Sequence, residues 1–115
     1  MNSTGVGEVI DSTVEAFSVG DAVVAPTGWQ TLSLHEARAL TKIDPAHNPV
    51  DYLGPMGVNG LTAYFGLLQI GKPKAGETVM VSAAAGSVGH LVGQMARING
   101  CRVVGVMGSD AKADV

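Results

Sequence analysis

Small residues between two apolar runs form the segment with the clearest chemical pattern. Residues 84–89 read Ala-Ala-Gly-Ser-Val-Gly, which is the dinucleotide-binding pattern G-x-G-x-x-G with alanine at its first glycine. Without a Cβ at Gly86 a pyrophosphate could approach the backbone, and Gly89 would let a following helix pack close to the preceding strand. The alternative is an ordinary packing turn. The pattern favours nucleotide binding, with Gly86, Ser87, Val88 and Gly89 at the phosphates.

Hydrophobic periodicity on either side predicts the elements that would hold this turn. Residues 79–81 form a short apolar run, which predicts a strand buried on both faces. Beyond the turn, apolar residues three and four positions apart predict one face of a helix that ends near Gly100. Residues 102–107 predict a second apolar strand. Strand, turn, helix and strand make a βαβ unit, in which the helix N-terminus would face the phosphates.

The end of the second predicted strand indicates which dinucleotide would bind. NAD-selective domains place Asp or Glu about 20 residues beyond the glycine pattern, where it binds the ribose 2′-hydroxyl. Gly108 offers no carboxylate, whereas Ser109 offers a hydroxyl and Lys112 an ammonium suited to a 2′-phosphate. Asp110 is the competing candidate for an NAD site, although Asp also commonly caps helices. We therefore expect NADP as the cofactor.

Composition and charge restrict the class of protein. The 115 residues are 46% hydrophobic and 15% charged, which is typical of a globular core and not of disorder. The net charge is −3 without a basic block, so nothing indicates binding to nucleic acid or to an anionic membrane. No apolar run approaches the roughly 20 residues of a membrane-spanning helix. The single cysteine, Cys101, excludes a disulfide within the chain and favours a reducing, cytoplasmic compartment.

The first third of the chain has an all-β pattern. Short strands separated by glycine turns are expected at residues 5–11, 22–25 and 29–34. A short helix is expected within residues 34–43, capped by Ser33 in a capping-box pattern.

The pattern changes near residue 45 from all-β to α/β. Prolines make residues 44–60 a loop, and apolar spacing predicts a helix over residues 61–68 that ends near Gly71. Two parallel strands with one crossover leave sheet edges and apolar faces uncovered. We therefore expect the sequence to be a portion of a longer protein and not a self-sufficient catalyst.

Other side chains that could do chemistry lack a supporting pattern. The three histidines and Cys101 lie at no metal-ligand spacing, so no metal site is predicted. The absence of a G-x-S-x-G motif argues against hydrolase chemistry. Thr62 is a candidate for the nicotinamide end of a cofactor, and Tyr64 is interpreted as core. Trp29 is interpreted as strand packing or, alternatively, as a substrate wall; no catalytic residue is assigned.

Motifs along the whole chain resemble a known enzyme family. In order they are Val19-Gly-Asp-x-Val-Val24, Gly60-Leu-Thr-Ala-Tyr-Phe-Gly66, Lys74-Ala-Gly-Glu-Thr78 and Ala83-Ala-x-Gly-x-Val-Gly89. Together they resemble the medium-chain dehydrogenases/reductases. The continuation to Lys112 points to the zinc-independent branch of prostaglandin reductases (leukotriene B4 12-hydroxydehydrogenases) and 2-alkenal reductases. The sequence departs from that pattern at Asn59, where proline or threonine is more usual.

The resemblance implies a fold and an activity. Residues 1–45 would be the closing strands of a GroES-like β domain, and residues 46–115 a connecting helix and the first βαβ of a Rossmann-type α/β domain. The implied activity is NADPH-dependent reduction of the activated C=C bond of α,β-unsaturated aldehydes or ketones by a cytoplasmic homodimer, with Lys112 binding the cofactor. Quinone reduction is the alternative within the superfamily. A non-catalytic nucleotide-binding or interaction fragment is the alternative outside it.

Overall fold

The backbone of this chain folds into two compact units, each with its own sheet. A computed structural model describes residues 3–112. The first unit ends at Leu53 and the second begins at Gly54. No helix within residues 3–112 is both long enough and apolar enough to cross a membrane.

The first unit is built on an antiparallel sheet of three strands. They are β1 (Gly5–Glu8), β2 (Ala22–Ala25) and β3 (Thr41–Lys42), with β2 in the centre. Val23 and Ala25 are buried while Ala22 and Val24 are not, as the two-residue period of a half-buried strand requires. The strands predicted at the first two positions are therefore confirmed, although β1 is shorter than expected.

Two predictions for this unit are wrong. Residues 29–34 do not form a strand, and Trp29 is 85% exposed instead of packed against one. The helix expected within residues 34–43 is a single 3₁₀ turn, Ala37–Ala39, followed by β3. The Ser33 hydroxyl does not cap it: the N-cap residue is Glu36, and Ser33 Oγ hydrogen-bonds to Nε2 of His35 at 2.8 Å. Pairing of β3 with β2 satisfies the backbone here, and this tertiary contact overrides the local helical signal.

An ion pair connects the turn before β2 to β3. Lys42 Nζ lies 2.6 Å from Asp21 Oδ2, and the same oxygen accepts the Ser18 N–H at 2.8 Å. The hydrogen bond from Lys42, followed by that from the Ser18 N–H, lowers the pKa of Asp21 below its ordinary value of 3.8. Because the folded pKa lies below the unfolded one, the contribution to stability is present above pH 3.8 and is lost as the pH falls through the folded pKa.

Lys42→Met is expected to remove most of this pH-dependent contribution. The effect at neutral pH should be small, because water reaches the half-exposed Lys42 side chain and screens the ion pair. Urea unfolding midpoints of both proteins, measured from about pH 7 down to about pH 2, would show it. The midpoint of the unsubstituted protein should fall more steeply below pH 4; parallel curves would contradict the role of this ion pair.

The second unit contains the βαβ arrangement. Strand β4 (Thr78–Ser82) pairs in parallel with β5 (Arg102–Val106), and helix α2 (Gly89–Ile98) connects them. Gly100 has a φ of 77°, in the left-handed region that glycine adopts without steric cost after a helix. The predicted strand, turn, helix and strand are confirmed.

A further helix precedes β4 and changes its geometry along its length. Helix α1 (Val58–Tyr64) continues as a π-helical segment (Phe65–Gly71), which ends at Lys72 with a left-handed φ of 46°. The sequence predicted one helix ending near Gly71. The π-helical segment was not predicted, because the apolar spacing is equally compatible with an ordinary α-helix.

The core of the second unit lies between its helices and one face of the sheet. Leu67, Ala96 and Cys101 are buried there, and Val79 and Val103 pack against them. On the other face Met80 is 73% exposed, and Val104 and Val106 are also exposed. The prediction that β4 is buried on both faces is therefore wrong for the described residues, because α2 packs on one side only.

Candidate functional site

The turn between β4 and α2 is closed by its own backbone. The Gly86 N–H donates to the Ala83 carbonyl at 2.8 Å, and the His90 N–H donates to the Gly86 carbonyl at 3.0 Å. Ala83 has a φ of 49°, a left-handed conformation that is uncommon for alanine and turns the chain directly after β4. The reversal therefore falls one residue before Ala84, the residue at the first-glycine position of the pattern.

Gly89 and Gly86 have different steric roles in this turn. An ideal Cβ on Gly89 would collide with the Ala83 carbonyl oxygen and lie 3.0 Å from Ala84 Cα. These are backbone atoms, so a side chain there would push α2 away from the turn. A Cβ on Gly86 would meet only the Ala83 oxygen, at 3.1 Å. Gly89 is therefore required by packing, whereas Gly86 keeps the surface of the turn open.

The start of α2 presents N–H groups that could bind an anion. Within residues 3–112, neither the Ser87 N–H nor the Val88 N–H has a hydrogen-bond partner. Ser87 is exposed and Val88 is half-buried, and no side chain caps the helix. Unpaired N–H groups at the positive end of a helix dipole favour a negatively charged ligand.

A cavity of about 470 Å³ lies beside these groups. Its lining comes from the end of β4, the turn and the first part of α2: Met80, Val81, Ser82, Ala83, Gly86, Ser87, Val88, Gly89 and Val92. This is the carboxyl end of a parallel strand, where open α/β sheets bind their ligands. The structure thus brings all four residues predicted at the phosphates to one cavity.

The candidates for the 2′-phosphate lie just beyond β5. Asp110–Lys112 forms a 3₁₀ turn in which the Lys112 N–H donates to the Ser109 carbonyl at 3.1 Å. Ser109 and Lys112 are both exposed, so a hydroxyl and an ammonium are available on the same turn. The side chain of Asp110, the competing candidate, lies outside the described part of the chain. The roles of Ser109 and Lys112 stay predictions.

Thr62 lies on the exposed side of α1. Its hydroxyl donates to the Val58 carbonyl at 2.7 Å, so its proton is used within the helix. The oxygen can still accept a hydrogen bond, for example from an amide N–H of a ligand. A role for Thr62 at the nicotinamide stays a prediction, limited to accepting a hydrogen bond.

The steric roles of two glycines in this region were not predicted from the sequence. Gly60 is buried, and a Cβ there would collide with the Pro55 carbonyl. Gly105 lies inside β5, and a Cβ there would come within 2.8 Å of Ala84 Cβ. A glycine in the interior of a strand is a sequence signal for close approach, and it could have pointed to Gly105.

The polar side chain of His90 lies next to the turn. Nδ1 of His90 lies 3.2 Å from the Gly86 carbonyl oxygen, so this ring contacts its own helix start. In the part of the chain that the structure describes, no three His, Cys, Asp or Glu side chains are grouped in a way that could hold a metal ion.

Comparison with known proteins identifies relatives over nearly the whole chain, although no family model matches it. It is 57% identical over 96 residues to YfmJ of Bacillus subtilis, whose name describes an NADP-dependent oxidoreductase; the match covers 83% of this chain and 28% of YfmJ. It is 50% identical over 111 residues to prostaglandin reductase 1 of Bos taurus, covering 93% of this chain and 34% of that protein. The chain spans about a third of the length of these curated relatives.

A solved structure shows the same backbone. CurA of Vibrio vulnificus, crystallised in complex with NADPH, superposes with a TM-score of 0.84 at 43% identity, covering 99% of this chain and 34% of CurA. The agreement includes both the antiparallel strands and the βαβ unit, because nearly every residue of the chain is superposed. Sequence identity and fold therefore agree with the resemblance seen in the motifs, and the chain belongs to the medium-chain dehydrogenase/reductase family.

Proposed function

We propose that this chain supplies the phosphate-binding part of an NADPH-dependent reductase of α,β-unsaturated aldehydes or ketones. The observation that carries the proposal is the turn between β4 and α2. There the unpaired N–H groups of Ser87 and Val88 and the side-chain-free Gly86 border a cavity at the end of a parallel strand. The name of YfmJ and the NADPH complex of CurA support the choice of cofactor, and the name of prostaglandin reductase 1 supports a reductase.

The residues of this chain fit the phosphates of such a cofactor. A Cβ on Gly86 would occupy the face of the turn that the pyrophosphate approaches, and the Ser87 and Val88 N–H groups would donate to its oxygens. The Ser109 hydroxyl and the Lys112 ammonium would hold the 2′-phosphate. When bound, NADPH supplies the hydride that reduces the β-carbon of the substrate. The chain's own part is to bind and orient the cofactor.

The chain contains parts of two domains in this proposal, with a boundary near residue 45 that precedes the one between the two compact units at Leu53 and Gly54. We assign residues 1–45 to the end of a GroES-like β domain, and residues 46–115 to a connecting helix and the first βαβ of the nucleotide-binding domain. The antiparallel sheet of the first unit and the parallel pair of the second support this assignment. A cytoplasmic homodimer is the proposed setting. The free, buried Cys101 supports a reducing compartment, and the family resemblance supports the dimer.

In the longer protein that would contain this chain, the proposed activity is tested by NADPH oxidation with an enone, the matching saturated ketone and a quinone. We expect turnover of the enone, with mass spectrometry and NMR showing a saturated C=C bond and an intact carbonyl. The saturated ketone should not react. Preferred turnover of the quinone would favour the alternative reductase. Binding of NADPH without turnover of any of the three would favour a non-catalytic nucleotide-binding chain.

Lys112→Ala is expected to lower the preference for NADPH over NADH about tenfold, because a contact between an exposed ammonium and a phosphate is lost. The measurement is the ratio of kcat/KM for the two cofactors. Lys74→Ala is the matched control, since this exposed lysine precedes β4 at the end opposite the turn. A ratio that Lys112→Ala leaves unchanged would refute the role of this lysine. A preference of the unsubstituted protein for NADH would favour Asp110 as the ribose-binding residue.

A further inference from the structure

The space between the phosphate-binding turn and β5 accommodates a single Cβ, carried by Ala84. We propose that Gly105 is a positioning residue for the cofactor, because the missing side chain at Gly105 lets the alanine-containing turn lie against β5. The inference rests on the proposed function, since the turn concerned is the one assigned to the phosphates. It explains how the fold tolerates alanine at the first-glycine position.

One hydrogen bond holds Ala84 against β5, and the space beside it leaves no room for a Cβ on Gly105. The Ala84 N–H donates to the Val106 carbonyl at 3.1 Å, which ties the turn to the end of the strand. Next to it, an ideal Cβ on Gly105 would come within 2.8 Å of the Ala84 Cβ. That separation is shorter than two carbon atoms tolerate, and the Ala84 methyl group has no torsion that could move it aside.

Pairing with β4 holds Gly105 in the sheet. Gly105 lies opposite Val81 and Val106 lies opposite Ser82 in the parallel register of β4 and β5. Displacing β5 would disrupt this pairing, so we expect a side chain at position 105 to displace Ala84 instead. This displacement would lengthen the hydrogen bond from Ala84 to Val106.

Displacement of Ala84 would be transmitted to the cofactor site through the backbone. Ala84 directly follows Ala83, whose carbonyl accepts the Gly86 N–H and closes the turn. Movement of this segment would change the directions of the Ser87 and Val88 N–H groups. Gly105 thus influences phosphate binding indirectly, through the position of Ala84.

The same geometry predicts that Ala84→Gly restores the binding that Gly105→Ala weakens. If residue 84 is glycine, the nearest remaining atom to a Cβ on residue 105 is Met107 Cε at 3.6 Å, an ordinary van der Waals contact. A protein with glycine at 84 and alanine at 105 would again have one Cβ in this space. The exchanged pair should therefore restore the position of the turn.

The experiment is a double-mutant cycle with Gly105→Ala, Ala84→Gly and the combination of both. NADPH dissociation constants are measured by fluorescence titration at a temperature where circular dichroism shows each protein folded, and thermal unfolding midpoints are recorded in parallel. Gly105→Ala should weaken NADPH binding about tenfold. The double variant should bind within about twofold of the unsubstituted protein. Gly93→Ala is the control, because a Cβ there lies 3.7 Å from Val103 Cγ1 and fits.

Several results would overturn the proposal. It fails if folded Gly105→Ala binds NADPH normally, or if the double variant binds no better than Gly105→Ala. Should Gly105→Ala not fold, the double variant decides: restored folding and binding support the proposal, and their absence overturns it. Failure of the unsubstituted protein to bind NADPH would refute the proposed function instead. In that case the unfolding midpoints test whether Ala84 and Gly105 compete for the same space. A midpoint restored in the double variant would support this, and a midpoint as low as that of Gly105→Ala would contradict it.

Discussion

Gly89→Ala is expected to destabilise the second unit by about 3 kcal/mol or more. The new Cβ would collide with the Ala83 carbonyl oxygen, lie 2.9 Å from Ala83 C and lie 3.0 Å from Ala84 Cα. All three are backbone atoms of a turn that is closed by its own hydrogen bonds, so α2 itself must move. Small proteins are stable by only about 5–15 kcal/mol, so the loss is a large fraction of the total. Urea unfolding followed by circular dichroism would measure it.

Gly86→Ala is the matched control, because it is the same substitution in the same turn. A Cβ on Gly86 would meet only the Ala83 oxygen, at 3.1 Å, a tight contact that a small shift relieves, so this variant should lose much less stability than Gly89→Ala. It should nevertheless bind NADPH about tenfold more weakly, because the methyl group keeps the pyrophosphate from the backbone N–H groups. Equal midpoints for Gly89→Ala and the unsubstituted protein would refute the packing role. Unchanged NADPH affinity of folded Gly86→Ala would remove the pyrophosphate from this turn.

Gly60→Ala is expected to have an effect of similar size on the helix that carries Thr62. Gly60 is buried in α1, and its N–H donates to the Gly54 carbonyl at 3.2 Å. A Cβ there would collide with the carbonyl oxygen of Pro55. The helix must then separate from the loop before it, and we expect a loss of about 3 kcal/mol in the free energy of unfolding.

Gly66→Ala provides the comparison for Gly60→Ala. Gly66 lies in the π-helical segment that continues α1, and a Cβ there has no heavy atom within 4 Å. Alanine at position 66 should therefore leave the urea midpoint unchanged or raise it slightly, since alanine favours helical backbone over glycine. If the two variants unfold at the same urea concentration, close packing at Gly60 does not contribute to stability.

The βαβ unit could be predicted because its signals are local. The apolar runs of β4 and β5 and the three-and-four spacing of α2 each describe one element, and Gly100 ends the helix through its own φ preference. The small-residue turn between β4 and α2 needs only these neighbours to be recognised. Its residues from Gly86 to Gly89 border one cavity because they are consecutive.

The β unit was predicted less well because its third strand depends on a partner distant in sequence. Thr41 and Lys42 are strand residues only through pairing with β2, and their neighbours Leu40 and Ile43 fit a short helix equally well by spacing. The exposure of Trp29 depends on which elements lie around it in the fold. The residue type alone does not show which elements these are.

The steric relations within the turn likewise required the folded backbone. The order of residues identified a glycine pattern with alanine at its first position. It did not show that the chain reverses direction at Ala83, or that the Ala84 methyl group lies where a Gly105 side chain would be. The helical hydrogen bonds between residues four apart and the alternating faces of a strand both arise within short stretches of sequence. These local patterns were enough to predict the order of strand, turn and helix. Contact between Ala84 and Gly105 exists only after β5 has paired with β4, since no local interaction brings these residues together.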